Sequence, residues 1–151
     1  MGWRRALAAA AGLLVFVYAA SYADLVLRAR SAYLEGEKYL EWNAHPEEKK
    51  AHFEAEFQAR RKTLEAARDA GRLTPAECGK KVELARFERD QAVAESSLKY
   101  AYVWFETAAD LFSPPESRWT RLARAQETKT RELWKKELDA KGIPYKDYML
   151  E

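Results

Sequence analysis

The feature that most constrains this chain is an uncharged, apolar run near its N-terminus, residues 6–23. Leu25, Val26 and Leu27 extend the run past a single charged residue, Asp24. At about 1.5 Å of rise per residue, a helix over residues 6–27 spans roughly 33 Å, which is enough to cross the hydrocarbon core of a bilayer. The sequence therefore predicts a transmembrane anchor over residues 6–27, preceded by a short N-terminal tail, residues 1–5.

A cleaved signal peptide is the alternative interpretation of the same segment. Basic residues precede the apolar run, and the small residues Ala19, Ala20 and Ser21 would suit a signal peptidase. The apolar run continues beyond that site, however, so we expect the segment to be retained as an anchor that contacts the lipid bilayer.

The basic residues around the anchor bear on its orientation. Arg4 and Arg5 favour a cytoplasmic N-terminus, whereas Arg28 and Arg30 favour the opposite orientation. A short N-terminal tail is typical of an uncleaved anchor whose N-terminus stays inside the cell. The many alanines and arginines indicate a bacterial source. We therefore predict a single-pass protein of the bacterial inner membrane with a periplasmic helical domain, and the reverse orientation is the alternative.

Charge and composition exclude several classes of protein. The chain has 26 Lys and Arg against 24 Asp and Glu, and 33% of its residues are charged, which is too polar for a polytopic membrane protein. Residues 31–151 contain no excess of basic charge, so a nucleic-acid binder is not expected. A single cysteine excludes an intramolecular disulfide and a Cys-based metal site made by one chain.

Prolines, glycines and capping residues divide the rest of the chain into four helical stretches. The first continues the anchor and ends before Pro46, because a residue that precedes proline avoids the α region. The second begins at Pro46 and ends at Gly71. Thr74 and Glu77 form a capping-box pattern that begins the third.

The third stretch is expected to run from there to about Phe112. Residues 113–116, Ser-Pro-Pro-Glu, repeat a helix-start pattern, and the fourth stretch then ends at Lys141 with Gly142 as its C-terminal glycine. The predicted fold is thus all-α: one transmembrane helix, an extramembrane helical domain over residues 28–142 and an extended C-terminal arm.

Apolar periodicity predicts how the second and third stretches pack. The third has spacings of three and four over four heptads, a pattern typical of a coiled-coil seam, and the second has a shorter matching seam. Their short connection predicts an antiparallel hairpin. The two seams consist of Leu84, Phe87, Gln91, Ala94, Leu98, Ala101, Phe105, Ala108 and Phe112, and of Phe53, Phe57, Arg60, Leu64 and Ala67. Arg60 is expected either in the seam or at the hairpin edge.

The third and fourth stretches contain more aromatic side chains than the hairpin seam can bury. The residues in question include Tyr100, Trp104, Trp119 and Trp134. These rings either form the core of a small helical bundle or bind a partner protein, and both interpretations stay open.

Residues 143–151 predict a docking arm. They contain Tyr145, Tyr148 and Met149, which are residue types enriched in the cores of protein interfaces. Chain ends are usually disordered unless another surface holds them. We expect the arm to lie either on its own domain or on a partner chain.

Residues with catalytic or metal-binding potential are sparse. His45, Glu48, His52 and Glu56 recur at helical spacing, but a solvated charged face explains them more simply than a metal site. Cys78 lies in the first turn of the third stretch, far from either histidine, and is expected to be inert. Phosphate-binding, nucleophile-elbow and dinucleotide motifs are missing from the sequence. We expect no enzymatic activity, cofactor, bound metal or small-molecule substrate.

Together these features predict a non-catalytic accessory subunit of a larger membrane protein complex. Its partners would be the lipid bilayer and the other subunits of that complex. One alternative is a stand-alone, membrane-anchored adaptor or chaperone that binds client proteins. Another is a homo-oligomer formed along the seam of the third stretch.

Overall fold

The computed structural model describes residues 2–150, which contain α-helices, a π-helical turn and a 3-10 turn but no strand. The five α-helices are α1 (Gly2–Ala44), α2 (Pro46–Asp69), α3 (Pro75–Ala94), α4 (Ser97–Glu106) and α5 (Arg118–Ala140). The all-α prediction is confirmed, as is the continuity of the apolar run with the helix that follows it. The chain divides into two compact units, Met1–Leu40 with Leu98–Glu151, and Glu41–Ser97.

The first unit, called the bundle unit, is a close-packed core of small side chains around one ring. Phe105 is fully buried, and the surrounding buried residues are all alanines, namely Ala32, Ala101, Ala108, Ala109 and Ala123. Small residues let helix backbones approach closely, so the ring of Phe105 fills the space that larger side chains would otherwise occupy. It reaches Gly36 of α1 so closely that no Cβ fits there, and it packs against Tyr33 with ring centroids 5.6 Å apart.

One seam on α1 runs from the apolar run into this core. Its members are separated by alternating spacings of four and three, which keeps them on one face of the helix. Exposure falls along the seam: the first two members are exposed, and Ala29, Ala32 and Gly36 are buried. The seam consists of Tyr18, Tyr22, Leu25, Ala29, Ala32, Gly36 and Tyr39.

A π-helical turn, Thr107–Leu111, ends the segment that begins with α4. Thr107 donates its hydroxyl to the Val103 carbonyl at 2.7 Å. The Arg124 guanidinium of α5 donates to the Ala109 carbonyl at 3.3 Å. Both side chains thus donate hydrogen bonds to backbone carbonyls where the regular α-helical hydrogen-bond pattern is interrupted.

The second unit, called the hairpin unit, contains α2 and α3 as the predicted antiparallel pair. Gly71 has a φ of 70°, a left-handed conformation that favours glycine, and it follows the end of α2. Thr74 and Glu77 form the predicted capping box. Inside the hairpin, Phe57 is buried, and the Arg89 guanidinium lies 4.8 Å from the centre of its ring.

The prediction of one unbroken third helix is wrong. The helical path stops at Glu95, whose backbone is extended, and α4 begins two residues later. Lys49 of α2 is buried and donates its ammonium group to the Glu95 carbonyl at 2.6 Å. A carbonyl at a helix end lacks an intrahelical partner, so Lys49 stabilises the break. Leu98, predicted in the hairpin seam, is instead buried in the bundle unit.

The predicted phase of the α3 seam is also wrong. Leu84 and Phe87 are exposed, and α3 packs against α2 with a different face, whose members are Cys78, Val82, Ala85, Arg89 and Ala92. The seam of α2 has the predicted phase, with Phe57 buried and Leu64 half-buried. Arg60 lies at the hairpin edge, where it is exposed and pairs with Glu88.

The start of the last helix differs from the sequence prediction as well. The predicted start at the Ser-Pro-Pro pattern, residues 113–115, is wrong, because the N-cap of α5 is Ser117. The Ser117 hydroxyl accepts a hydrogen bond from the Thr120 backbone N–H at 3.2 Å. The helix ends as predicted, because Gly142 follows it with a φ of 64°.

Candidate interaction surfaces

The residues weighed as possible ligands or nucleophiles lie in separate local contacts. The ring nitrogens of His45 lie 3.2 Å from Glu47 and 3.6 Å from Glu41. His52 lies 3.4 Å from Glu56 and packs against Trp42. Over residues 2–150, no cluster of three or more His, Cys, Asp or Glu residues is arranged to hold a metal ion.

Cys78 is buried between the hairpin helices. Its thiol lies 3.6 Å from the Leu64 carbonyl, the acceptor of a weak S–H hydrogen bond. The histidines lie near the other end of the hairpin, because α2 and α3 run antiparallel. Among the described residues, this geometry offers the thiol neither a histidine base nor access to a substrate.

The N-terminal half of α1 is an exposed apolar surface. It is long and apolar enough to cross a membrane, and none of its most apolar window is buried within the fold. Trp3 is exposed near one end of the run, and Tyr18 and Tyr22 are exposed near the other. Trp3 and Tyr22 are separated by about 28 Å along the helix axis, close to the thickness of a bilayer core.

The four aromatic residues predicted at partner contacts all pack partly inside the bundle unit. Tyr100 stacks on Tyr39, and Trp119 packs against Tyr33, with ring centroids 5.2 and 5.6 Å apart. Trp134 lies against Tyr102 at 5.7 Å, and Trp104 packs against the Phe105 core. Each ring is half-buried, so part of its surface faces outward.

The C-terminal segment is attached to its own unit and ends in a 3-10 turn, Asp147–Leu150. Leu150 is buried, and its carbonyl accepts from the Tyr102 hydroxyl at 2.8 Å. Burial, followed by a hydrogen bond to Glu106, raises the pKa of Tyr102 well above its usual value, which keeps the phenol protonated as a donor. The segment is therefore not extended throughout.

An ion pair holds the same turn on α5. Lys135 lies 2.8 Å from Asp147, and this hydrogen bond lowers the pKa of the Asp147 carboxyl. Tyr145 is half-buried, but Tyr148 and Met149 are 63% and 57% exposed. The turn thus presents two large side chains outward from a fixed backbone.

The hairpin unit has two exposed apolar features. A groove on the hairpin is lined by Phe53, Phe57, Ala85 and Ala92, with Arg60 and Glu88 at its edge. Leu84 and Phe87 of α3 lie outside the hairpin contact and are 51% and 59% exposed. They form a short apolar stripe, because they are three residues apart on one helix.

Sequence reasoning missed two residues that organise these surfaces, Gly36 and Lys49. Gly36 lies on the small-residue face of α1 with Ala29 and Ala32, and that stripe is visible in the sequence. Nothing in the sequence distinguishes Lys49 from the lysine that follows it.

No family model matches the chain, and neither a curated protein nor a solved structure is similar to it.

Proposed function

We propose that this protein is a non-catalytic, single-pass accessory subunit of a larger membrane protein complex. The observation that carries the proposal is the continuity of α1. Its apolar N-terminal half is exposed, whereas its next turns supply Ala29, Ala32 and Gly36 to the buried core. A helix of this kind transmits position rigidly from the bilayer to the helical domain.

The C-terminal turn supports a role in assembly. Its backbone is already held by Leu150 and by the Lys135–Asp147 pair. Tyr148 and Met149 can therefore bind a partner with little further loss of backbone entropy. In the proposed complex, α1 contacts lipid and neighbouring transmembrane helices, and the turn at 147–150 contacts an extramembrane subunit.

The proposed location is the bacterial inner membrane, with residues 1–5 in the cytoplasm and the helical domain in the periplasm. Protease added to spheroplasts tests this orientation. We expect it to digest the helical domain of the full-length chain without lysis. Protection until the membrane is lysed would reverse the orientation.

A membrane-anchored adaptor for client proteins is the second candidate. The hairpin groove and the exposed Leu84–Phe87 stripe favour it, because an adaptor needs an unoccupied apolar surface. The two functions use different surfaces, so variants can separate them.

The test compares the full-length tagged chain with two double variants, all extracted from native membranes in mild detergent. One variant is Tyr148→Ser with Met149→Ser, and the matched variant is Leu84→Ser with Phe87→Ser. All four side chains are exposed, so neither variant should change folding. Native mass spectrometry then gives the mass and stoichiometry of each complex.

An accessory subunit should co-elute with a fixed set of chains at constant stoichiometry. The Tyr148 and Met149 variant should lower the recovery of those chains at least about tenfold. An adaptor should instead co-elute with a set of chains that varies between preparations, and these chains should be lost only in the Leu84 and Phe87 variant. Recovery of this chain only, as a monomer or as a homo-oligomer, would overturn the accessory role.

A further inference from the structure

The loop between the π-helical turn and α5 lies beside the apolar run of α1. Residues 111–116, which are this loop together with Leu111 at the end of the π-helical turn, are called the junction loop. Pro114 and Pro115 form one side of a cleft whose other side includes Tyr18, Tyr22 and Leu25. Tyr18 precedes Asp24 by six residues, or about 9 Å along the helix axis. The junction loop therefore reaches the level of the last apolar turns of the anchor.

The junction loop is suited to a weakly hydrated environment. Leu111 is 71% exposed, and Pro114 is exposed as well. Exposed apolar area is unfavourable in water, at about 25 cal/mol per Å². Pro114 and Pro115 have no backbone N–H, so the loop leaves fewer donors unpaired outside water.

Two arginines lie next to the junction loop. Arg30 of α1 and Arg118 of α5 contact the ring of Trp119, at 5.7 and 5.5 Å from its centroid. Both are exposed, and within residues 2–150 neither forms an ion pair with a carboxylate. Of the acidic side chains on or beside the loop, Asp24 pairs with Arg28 and Glu116 lies 3.4 Å from Arg124, whereas the exposed Asp110 directly precedes Leu111.

Tryptophan with flanking arginine is a combination suited to the region between hydrocarbon and water. The indole ring prefers the headgroup level, and guanidinium groups bind phosphate oxygens. Trp119 lies one turn or less from the junction loop along the chain. The exposed apolar side chains of the loop, an indole ring and two guanidinium groups thus follow one another from the anchor outward.

We propose that the junction loop is a second membrane-contacting element. Leu111 and Pro114 enter the interfacial layer beside the anchor, and Arg30 and Arg118 bind the phosphates of anionic phospholipids. This inference depends on the proposed anchoring of α1. Two points of attachment would fix the tilt of α1, and with it the position of the helical domain above the bilayer.

Depth-dependent quenching tests the loop in the full-length chain reconstituted into phosphatidylcholine nanodiscs. Single cysteines are placed at Leu111, Val15 and Leu133 in a Cys78→Ala background and labelled with an environment-sensitive fluorophore. Val15 reports on the anchor, and Leu133 is an exposed control about 22 Å along α5 from Arg118. Two quenchers are used, phosphatidylcholines with a nitroxide high or low on the acyl chain, because Leu111 is proposed near the headgroups and Val15 lies near the middle of the apolar run.

We expect quenching at Val15 and Leu111 but not at Leu133. Quenching at Val15 without quenching at Leu111 would overturn the loop proposal and leave the anchor intact. Absence of quenching at both positions would contradict the anchor itself. Quenching at all three would show that the whole bundle lies in the interface, which would also overturn the proposal.

A second measurement tests the two arginines. Native mass spectrometry of the full-length chain, released from nanodiscs containing equal phosphatidylglycerol and phosphatidylcholine, gives the ratio of retained lipids. A basic residue near the surface favours anionic lipid by about fivefold, so Arg30→Gln with Arg118→Gln should reduce the ratio by more than tenfold.

The matched control is Arg72→Gln with Lys80→Gln, which removes the same charge from exposed positions of the hairpin unit. Its lipid ratio should equal that of the wild-type chain. An equal loss in both double variants would show a net-charge effect and overturn the assignment of Arg30 and Arg118. An unchanged ratio in the Arg30 and Arg118 variant would overturn it as well.

Discussion

Gly36 allows a direct test of how the bundle unit is packed. A Cβ atom added at this position would lie 2.6, 2.8 and 2.9 Å from three carbons of the Phe105 ring. Phe105 is fully buried, and the walls around it are alanines that cannot rotate away. Gly36→Ala should therefore destabilise the bundle, although alanine is the better helix former.

The expected magnitude is the difference between two opposing effects. Overpacking a close-packed core costs typically about 1–3 kcal/mol. Replacement of glycine by alanine within a helix contributes up to about 1 kcal/mol in the favourable direction. The net loss should be up to about 2 kcal/mol. Each kcal/mol lost lowers the melting temperature of a cooperative unit of this size by about 4–8 °C.

Gly79 supplies the matched control. It lies within α3, and an added Cβ there would have no neighbour within 4 Å. Gly79→Ala should therefore raise the free energy of unfolding of the hairpin unit by about 0.5–1 kcal/mol. Thermal unfolding of the full-length chain in detergent, followed by circular dichroism at the helix band, compares both variants with the wild type.

The close contact also predicts a coupling between two positions. Phe105→Leu alone should destabilise the bundle because it leaves a cavity. Added to Gly36→Ala, it should cost less than it does alone, because the smaller side chain removes the clash. If Gly36→Ala stabilises the chain as Gly79→Ala does, or if the two changes are additive, the proposed contact between Gly36 and Phe105 is wrong.

Three further substitutions test individual buried or half-buried polar groups in the full-length chain, each by the same unfolding measurement. Lys49→Met removes the donor to the Glu95 carbonyl and should destabilise the hairpin unit by about 1–3 kcal/mol; an unchanged melting temperature would contradict that role. Thr130→Val should stabilise the bundle unit by about 1 kcal/mol, because the Thr130 hydroxyl is buried and has no hydrogen-bond partner among the described residues. Burial, followed by repulsion from Asp110 and Glu106, raises the pKa of Glu127, so its ionised form is disfavoured in the folded state. Glu127→Gln should therefore raise the melting temperature at pH 7, and this gain should disappear as the pH falls below 4.5, the ordinary pKa of the side chain; a gain that is constant across this range would contradict the burial effect.

Helix boundaries set by local chemistry could be predicted from the sequence. Pro46 restricts the backbone wherever it occurs, and Gly71 and Gly142 tolerate the left-handed conformation that ends a helix. The Thr74 capping box needs only residues three apart. The start of α5 was missed because Ser113 and Ser117 are both candidate N-caps. Ser117 is the residue with a capping partner, Thr120, and threonine at that position is a weaker signal than glutamate.

The phase of the α3 seam could not be chosen by hydrophobic spacing alone. Leu84 and Phe87 predicted one phase because they are the larger apolar side chains. The hairpin uses the other phase, in which Cys78 and Ala85 permit close approach and Arg89 covers Phe57. A hydrophobicity scale does not identify this face, because it is packed with small side chains and with an arginine in a cation–π contact.

The break between α3 and α4 at Glu95 could not be predicted either, because it also depends on a tertiary contact. Residues 94–97, Ala-Glu-Ser-Ser, contain neither proline nor glycine, so no strong local signal ends the helix. The break depends on Lys49, which is distant in sequence and donates to the carbonyl that the extended backbone exposes. A tertiary hydrogen bond of this kind has no signature in local composition.

The seam of α1 joins the exposed apolar run and the buried core of the bundle unit in one continuous pattern. Tyr18 and Tyr22 begin it within the apolar run, and Gly36 and Tyr39 end it against Phe105 and Tyr100. Spacings of three and four hold over its whole length, so any rotation that turns the core residues away from Phe105 also turns Tyr18 away from the junction loop. The orientation of the exposed apolar run about the helix axis is therefore fixed by packing some 27 Å away along the helix. Under the proposed anchoring of α1, this linkage explains how a membrane-spanning segment would position a helical domain that it contacts at one end only.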